Sequence, residues 1–306
     1  MRKKVLNVLL AAAMSMMLTA CGETSPVEVP EAAAPAETTA SETGEVAGAQ
    51  KEQEESYPED VQAVIDRGVL RVGVKNAVIG FGYEDPLTGE YSGLEIELAR
   101  DLAARLGVDV EFTAVTAATR TELLDSGDID CVLATFTITD ARKESWDFTT
   151  PYYTDYVSVL VEDAKGIKSL SDLTDATVGV SSGSTSAKSL VKAMIEQGLI
   201  GSENFDEESF DPATWTEGVK FRQYDDYPTI STALSAGEVD AFCVDKSILA
   251  IYKTEGRSYI DAEFAPQNYG IATTKGSGMS EVAEQLITER LADGTIGKLI
   301  SDNGLD

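Results

Sequence analysis

Two stretches of the chain repeat one another. Leu123-Leu-Asp-Ser-Gly-Asp-Ile-Asp130 and Leu234-Ser-Ala-Gly-Glu-Val-Asp240 each end a helical pattern at a glycine and open an apolar run, Cys131–Thr135 and Ala241–Asp245. Gly127 and Gly237 read as helix stops, because the left-handed residue past a helix end suits glycine. Upstream lies a second matched pair, Leu70–Lys75 and Thr177–Ser181, both short β-rich runs ending in a polar loop. Each is followed by a helical pattern, at Gly93–Leu106 and Ser186–Gln197. One α/β plan used twice in order predicts two lobes rather than one large sheet. Ligands of open α/β sheets lie beyond the carboxyl ends of the strands. Thr135 and Asp245, each five residues after Asp130 and Asp240, are therefore expected at matching positions at the mouths of facing lobes. Chance similarity is the alternative, since helix, stop and strand follow one another commonly in α/β folds.

Charge narrows the chemistry. The 306 residues carry 24 Lys and Arg against 53 Asp and Glu, a formal charge of −29, with no histidine. Nucleic acid needs a basic footprint that this balance forbids, and an anionic membrane surface is equally unsuited as main partner. The missing histidine excludes Ser-His-Asp and Cys-His catalysis, His-ligated zinc and the commonest general base. No catalytic residue, metal ligand or cofactor is assigned.

The N-terminus reads as an address. Arg2, Lys3 and Lys4 precede an apolar run from Val5 to Leu18 that is too short and too interrupted for a membrane span. Leu18-Thr19-Ala20-Cys21-Gly22 resembles a bacterial lipobox, which implies cleavage of a signal peptide (1–20) and a lipid on Cys21; a coincidental cysteine is the alternative. From Gly22 to Ser56 the chain is Glu, Ala, Thr, Ser and Pro, with nine Glu against one Lys and no aromatic residue. Such a segment buries too little apolar surface to offset chain entropy. Residues 21–56 are expected to be a disordered acidic tether, roughly 30 Å end to end as a flexible coil. Later segments hold no run of eighteen apolar residues, so the remainder is expected to be soluble and exported.

Asp128-Ile-Asp-Cys-Val-Leu-Ala-Thr-Phe-Thr-Ile-Thr-Asp-Ala-Arg142, followed by Trp146-Asp-Phe-Thr-Thr-Pro-Tyr-Tyr153, resembles the signature of family 3 extracellular solute-binding proteins. These are receptors of polar amino-acid ABC importers. Asp293–Ile300 is also family-like, and the likeness runs from Tyr57 to the end. Within the family, Gly73–Asn76, Thr119–Leu124, Asp226–Pro228, Val244–Leu249 and Pro266–Ile271 are most similar to the aspartate/glutamate-binding branch. The resemblance implies an α/β fold of the periplasmic-binding-protein type II, a Venus flytrap of two lobes joined by two hinge strands. It places lobe 1 at 57–153 plus 266–306 and lobe 2 at 154–265.

A free amino acid offers a carboxylate, an ammonium and a side chain. A carboxylate suits arginine's planar pair of donors. Arg142, three residues after a helix N-cap expected at Thr139, is the residue that the resemblance sets on the α-carboxylate, helped by Thr137 and the Ser184-Thr185 loop. The ammonium wants an acid, and Asp245 follows the apolar strand Ala241–Val244; an N-cap for the helix begun by Lys246 is its other reading. Thr135 and Thr137 are expected to add a carbonyl and a hydroxyl. Lys75 stands where relatives that take cationic amino acids carry an acid, so a cationic ligand would meet a like charge. By the resemblance Arg120 points at a distal carboxylate and Tyr227 is the cleft tyrosine. The alternative for Lys75 and Arg120 is simple compensation of an acidic chain.

Departures and decoys remain. Val78 stands where many members have an aromatic residue against the ligand; Phe81 or Tyr83 substitutes for it or belongs to the core. Residues 198–219 read as an acidic, solvated insertion. Gly179–Thr185 lacks the lysine and spacing of a phosphate loop, and the Ser189/Lys192 and Ser301/Asn303 pairs lack the third motif of a serine enzyme. Cys131 and Cys243 are expected as buried free thiols; a disulfide between them, which would lock the two lobes, is the alternative in an exported protein. The expectation is a monomeric lipoprotein receptor for glutamate or aspartate, working with a membrane ABC permease. A receptor for glutamine or another polar amino acid, a dehydratase-like enzyme on the same scaffold with Asp245 or Glu95 as its acid, and a sensor module are the rivals.

Overall fold

The computed structural model describes residues 57–306; the expected leader, the lipid acceptor Cys21 and the acidic tether lie outside the described residues. The first lobe begins with α1 (Glu59–Arg67), β1 (Val69–Val74) and a small sheet of β2 (Ala77–Val78), β3 (Gly82–Glu84) and β4 (Tyr91–Ser92). It continues through α2 (Leu94–Leu106), β5 (Asp109–Ala114), α3 (Thr119–Ser126), β6 (Cys131–Leu133), α4 (Asp140–Ser145) and β7 (Trp146–Phe148). The chain crosses on β8 (Tyr153–Glu162) into the second lobe, which holds β9 (Thr177–Ser181), α5 (Ser186–Glu196), β10 (Lys220–Tyr224) and α6 (Tyr227–Ser235). There follow β11 (Ala241–Asp245), α7 (Lys246–Leu249) and β12 (Arg257–Tyr259). The return runs on β13 (Phe264–Tyr269) to β14 (Ala272–Thr274), then α8 (Gly278–Ala292) and α9 (Thr295–Asp302).

The internal repeat is a repeat of topology. One sheet has the order β5-β1-β6-β14-β7 and the other β10-β9-β11-β8-β12, with β13 paired to β8. In each, a central strand pairs in parallel with two others, and an antiparallel strand follows on the far side. The echoed aspartates account for part of the likeness. Asp130 accepts from the Arg71 backbone N–H at 2.8 Å and returns its own N–H to the Arg71 carbonyl. Asp240 does the same with Thr177, at 3.0 Å. A Cβ on Gly73 would meet Ile129, and one on Gly179 would meet Ile230 and Val239, so both glycines admit a branched side chain against the central strand. Leu70, Val72 and Val74 face one side of the first sheet, while Val115, Leu124 and Ile129 cover the other. A sheet covered on both faces calls for such continuous apolar runs.

The two crossings pair with each other, Tyr153 opposite Tyr269 and Val157 opposite Phe264. They are the hinge strands of a two-lobed α/β fold. Two expectations change in detail. The strand expected over Cys131–Thr135 stops at Leu133, because Thr135 takes a left-handed conformation, φ 45°, that leaves the ladder. The segment 198–219 has no helix or strand, but it is more than a solvated loop: Phe210 lies 5.6 Å from Phe205 and 5.5 Å from Trp215, and it packs on the second-lobe core. Cys131 and Cys243 are buried and free. Among the described residues no helix is long and apolar enough to cross a membrane.

Gly93 seats α2. Its φ of +126° excludes ordinary side chains, and a Cβ would lie 2.2 Å from the Phe81 carbonyl oxygen. That close approach lets the first N–H groups of α2 find partners, Leu94 on Gly80 at 2.8 Å and Glu95 on Phe81 at 3.1 Å. Gly93→Ala should cost about 2 kcal/mol or more from backbone strain and overlap. The expected fall in thermal midpoint is about 4 °C or more; an unchanged midpoint in calorimetry would refute this account of how α2 is held.

Candidate functional site

On the first lobe the site is built around Thr135. Left-handed backbone at a β-branched residue costs about 1–3 kcal/mol unless its surroundings impose it. Here the Thr135 N–H donates to Glu95 Oε1 at 2.6 Å, and Arg120 Nη1 donates to the carbonyls of Ala134 and Thr135 at 2.8 and 3.2 Å. Glu95 also accepts from the Tyr152 hydroxyl at 2.6 Å. Glu95 and Arg120 are both buried, and the Arg120 guanidinium stacks 3.8 Å from the Phe136 ring centroid. Three residues past Phe136, Thr139 caps α4 by accepting from the Arg142 backbone N–H at 3.2 Å, which matches the expected helix start. Arg142 Nη1 donates to the Thr137 carbonyl at 2.7 Å, and Nη2 crosses to the Gly183 carbonyl of the second lobe at 3.0 Å. The Thr135 carbonyl expected to face a ligand thus already accepts from Arg120.

The second lobe answers with the loop before α5, the start of α6 and the end of β11. Asp226 caps α6 by accepting from the Thr229 N–H at 2.7 Å, which sets Tyr227 at the first helical position. Asp245 sits at the N-cap position of α7 but makes no capping bond; its carboxylate instead accepts from the Tyr269 hydroxyl at 2.5 Å. The returning hinge strand supplies the link between lobes. Gln267 Oε1 accepts from the Thr137 hydroxyl at 2.8 Å and from the Thr185 hydroxyl at 2.7 Å.

Several of these groups share one chamber between the lobes. Arg120, Thr135 and Thr137 line one wall, and Ser184, Thr185, Tyr227 and Asp245 the other. Lys75 lines an adjoining recess that shares Ala117 and Tyr227 with the chamber, and its ammonium lies 5.5 Å from the Tyr227 ring centroid. Arg142 lies at the seam rather than in the chamber wall. Gln267, Tyr269, Ser186 and the clamping role of Glu95 are additions that sequence reasoning missed. Gln267 and Tyr269 lie in a run already noted for its family likeness, but nothing local assigns them a partner. Phe81 is fully buried, edge-on to Tyr153 and Tyr269 at 5.0 and 5.6 Å, so it belongs to the core.

Burial dominates the electrostatics. It pushes the Lys75 ammonium well below its usual range, and the neighbouring Arg120 adds to the effect. Loss of solvent and then Arg120 bring Arg142 down to about 9. Burial, reinforced by the Asp155 carboxylate, raises Asp245 to about 7. Arg120 Nε, Ser184 Oγ and Ser186 Oγ are buried without a hydrogen-bond partner. Each such group typically costs about 1–3 kcal/mol. A small molecule carrying both signs of charge and several acceptors would relieve these costs together.

Fold and site therefore define a two-lobed receptor for a small, polar, charged solute. A model of the bacterial extracellular solute-binding proteins, family 3, matches residues 70–302. The chain belongs to that family. It is 31% identical over 241 residues to the glutamine-binding protein of Geobacillus stearothermophilus, covering 77% of this chain and 84% of that protein. To the glutamate-binding protein GluB of Corynebacterium efficiens it is 29% identical over 259 residues, covering 79% and 80%. The solved structure of an ancestral arginine-binding protein bound to arginine superposes with a TM-score of 0.63 at 32% identity, covering 77% of this chain and 98% of that one.

Gly183 sits close against the opposite wall. Its φ is +73°, and a Cβ there would lie 2.7 Å from the Ala117 carbonyl oxygen on the opposite lobe. Gly183→Ala should hold the lobes apart, giving a larger radius of gyration in solution scattering and an affinity for the physiological solute reduced about tenfold or more, a cost of about 1.4 kcal/mol. Wild-type compactness and affinity would show that this contact does not limit closure.

Proposed function

We propose that this protein is a monomeric, lipid-anchored extracytoplasmic receptor that captures an acidic L-amino acid, glutamate or aspartate, and presents it to an ABC permease in the membrane. The observation that carries the ligand class is the charge balance of the cleft. Lys75, Arg120 and Arg142 converge on it, while Asp245 and the more deeply set Glu95 are the acids coupled to them. With these five groups ionised, and the hinge acid Asp155 left outside the set, three cations against two anions leave one positive charge. An acidic amino acid, with two carboxylates and one ammonium, supplies the complement.

In this reading Arg142 clamps the α-carboxylate, with the Thr137 and Ser184-Thr185 hydroxyls as further donors. Asp245 takes the ammonium. Lys75 and Arg120 receive the distal carboxylate beside Tyr227. Because Arg142 Nη2 is bonded to Gly183 across the seam, seating a carboxylate there requires the lobes to part and close again. Lobe 1 (57–153 and 266–306) and lobe 2 (154–265) would each hold part of the solute, so ligand shifts the open–closed population. Lipid on Cys21 and the 21–56 tether would keep the receptor beside its permease.

Glutamine is the second reading, favoured by the name of the Geobacillus relative. Charge-assisted hydrogen bonds contribute about 1.5–3 kcal/mol each, so glutamate or aspartate should bind about tenfold or more tighter than glutamine in calorimetry. Lys75→Gln should narrow that gap by a similar factor while affecting glutamine little. Glutamine binding tighter than both acids would overturn the acidic-ligand reading. Recovery of the bound amino acid chemically unchanged is expected of a receptor; a product would favour a dehydratase-like enzyme.

A further inference from the structure

Asp155 takes no part in the ligand contacts above, yet it is a buried acid on hinge strand β8. One carboxylate oxygen accepts from the Tyr156 backbone N–H at 2.7 Å. The other accepts from the Ser247 backbone N–H at 3.1 Å and from the Ser247 hydroxyl. Ser247 is the second residue of α7, whose N–H an N-cap side chain would ordinarily take. Asp245 occupies that N-cap position and does not take it. Between the two acids stands Tyr269 on the other hinge strand, its hydroxyl 2.5 Å from Asp245 and 3.4 Å from Asp155.

We propose that Asp155 is a positioning residue for the ammonium site: it caps α7 in place of Asp245, frees the Asp245 carboxylate for the cleft, and makes solute capture pH-dependent through its own negative charge. This rests on the reading of Asp245 as the ammonium's partner. The groups facing Asp245 are Asp155 on β8, Tyr269 on β13, Arg120 on α3, Arg142 on α4, Tyr227 on α6 and Lys75 at the end of β1, with Cys243 on its own strand. Burial raises its proton affinity most and Asp155 comes next; Tyr269 and the two arginines work against both, leaving it near 7. An ammonium binds the ionised carboxylate. Below the titration point capture must expel a proton, and affinity falls about tenfold per pH unit.

The sign of the effect follows. Asp155→Asn keeps an acceptor for the Ser247 N–H and removes the charge, so Asp245 should titrate at lower pH. In the wild-type protein the affinity for L-glutamate should fall about 30-fold between pH 8 and pH 5.5, and in Asp155→Asn by a smaller factor. The Asp245 carboxyl carbon, followed by NMR in the ligand-free protein and assigned with Asp245→Asn, should titrate lower in Asp155→Asn than in wild type. An unchanged midpoint overturns the coupling whatever the protein binds. At pH 8, Asp155→Ala should bind more weakly than Asp155→Asn, because the uncapped Ser247 N–H draws Asp245 back; equal affinities overturn the capping role. If wild type binds no amino acid at all, the receptor reading fails, while the carboxyl titration still decides the coupling on its own.

Discussion

The organisation of this molecule turns on the cost of burying charge where two lobes meet. Lys75, Glu95, Arg120 and Asp245 are all nearly inaccessible to solvent, and Arg142 lies beside them at the seam. Charges removed from water are tolerated only when hydrogen-bonded or paired. Part of that requirement is met internally, by backbone carbonyls for the arginines and by Thr135 and Tyr152 for Glu95. The remainder is left as shifted proton affinities and partnerless polar atoms. A site in that condition gains most from a solute bearing charges of both signs.

Rigidity and motion are assigned to different parts. The Glu95–Thr135–Arg120 clamp lies within the first lobe and holds an unfavourable backbone conformation, so that wall is preorganised. Polar contacts that cross the seam include Arg142 to Gly183, Gln267 to Thr185, Tyr269 to Asp245 and Lys75 over the Tyr227 ring. Contacts of this kind exchange readily with water or with a solute's carboxylate.

The hinge is more than a pair of connectors. Its strands carry Asp155, Gln267 and Tyr269, and each reaches a residue at the cleft or the element beside it. Bending the crossing strands would move these side chains along with the lobes, which ties the geometry of Asp245 and Thr185 to the degree of closure.

Legibility divides along the range of the interactions. The repeated helix stop and aspartate marked both sheets, because Asp130 and Asp240 act on adjacent strands in a motif that each lobe contains whole. Helix α2, the cap at Thr139 and the chamber residues Thr135 and Asp245 were visible from apolar spacing, local capping chemistry and the strand-end rule. The left-handed turn at Thr135 was not, since its enforcement comes from Glu95, 40 residues earlier. Nor was the capping of α7 by Asp155, 92 residues from Ser247, or the bridge from Gln267 to Thr137, 130 residues away. Sequence alone thus determined the two-lobed α/β plan and the matching strand-end positions of Thr135 and Asp245, because periodicity and strand-end position are properties of neighbouring residues. Tertiary structure alone decided which donor meets which acceptor there, because buried polar groups must find partners in space irrespective of their separation along the chain.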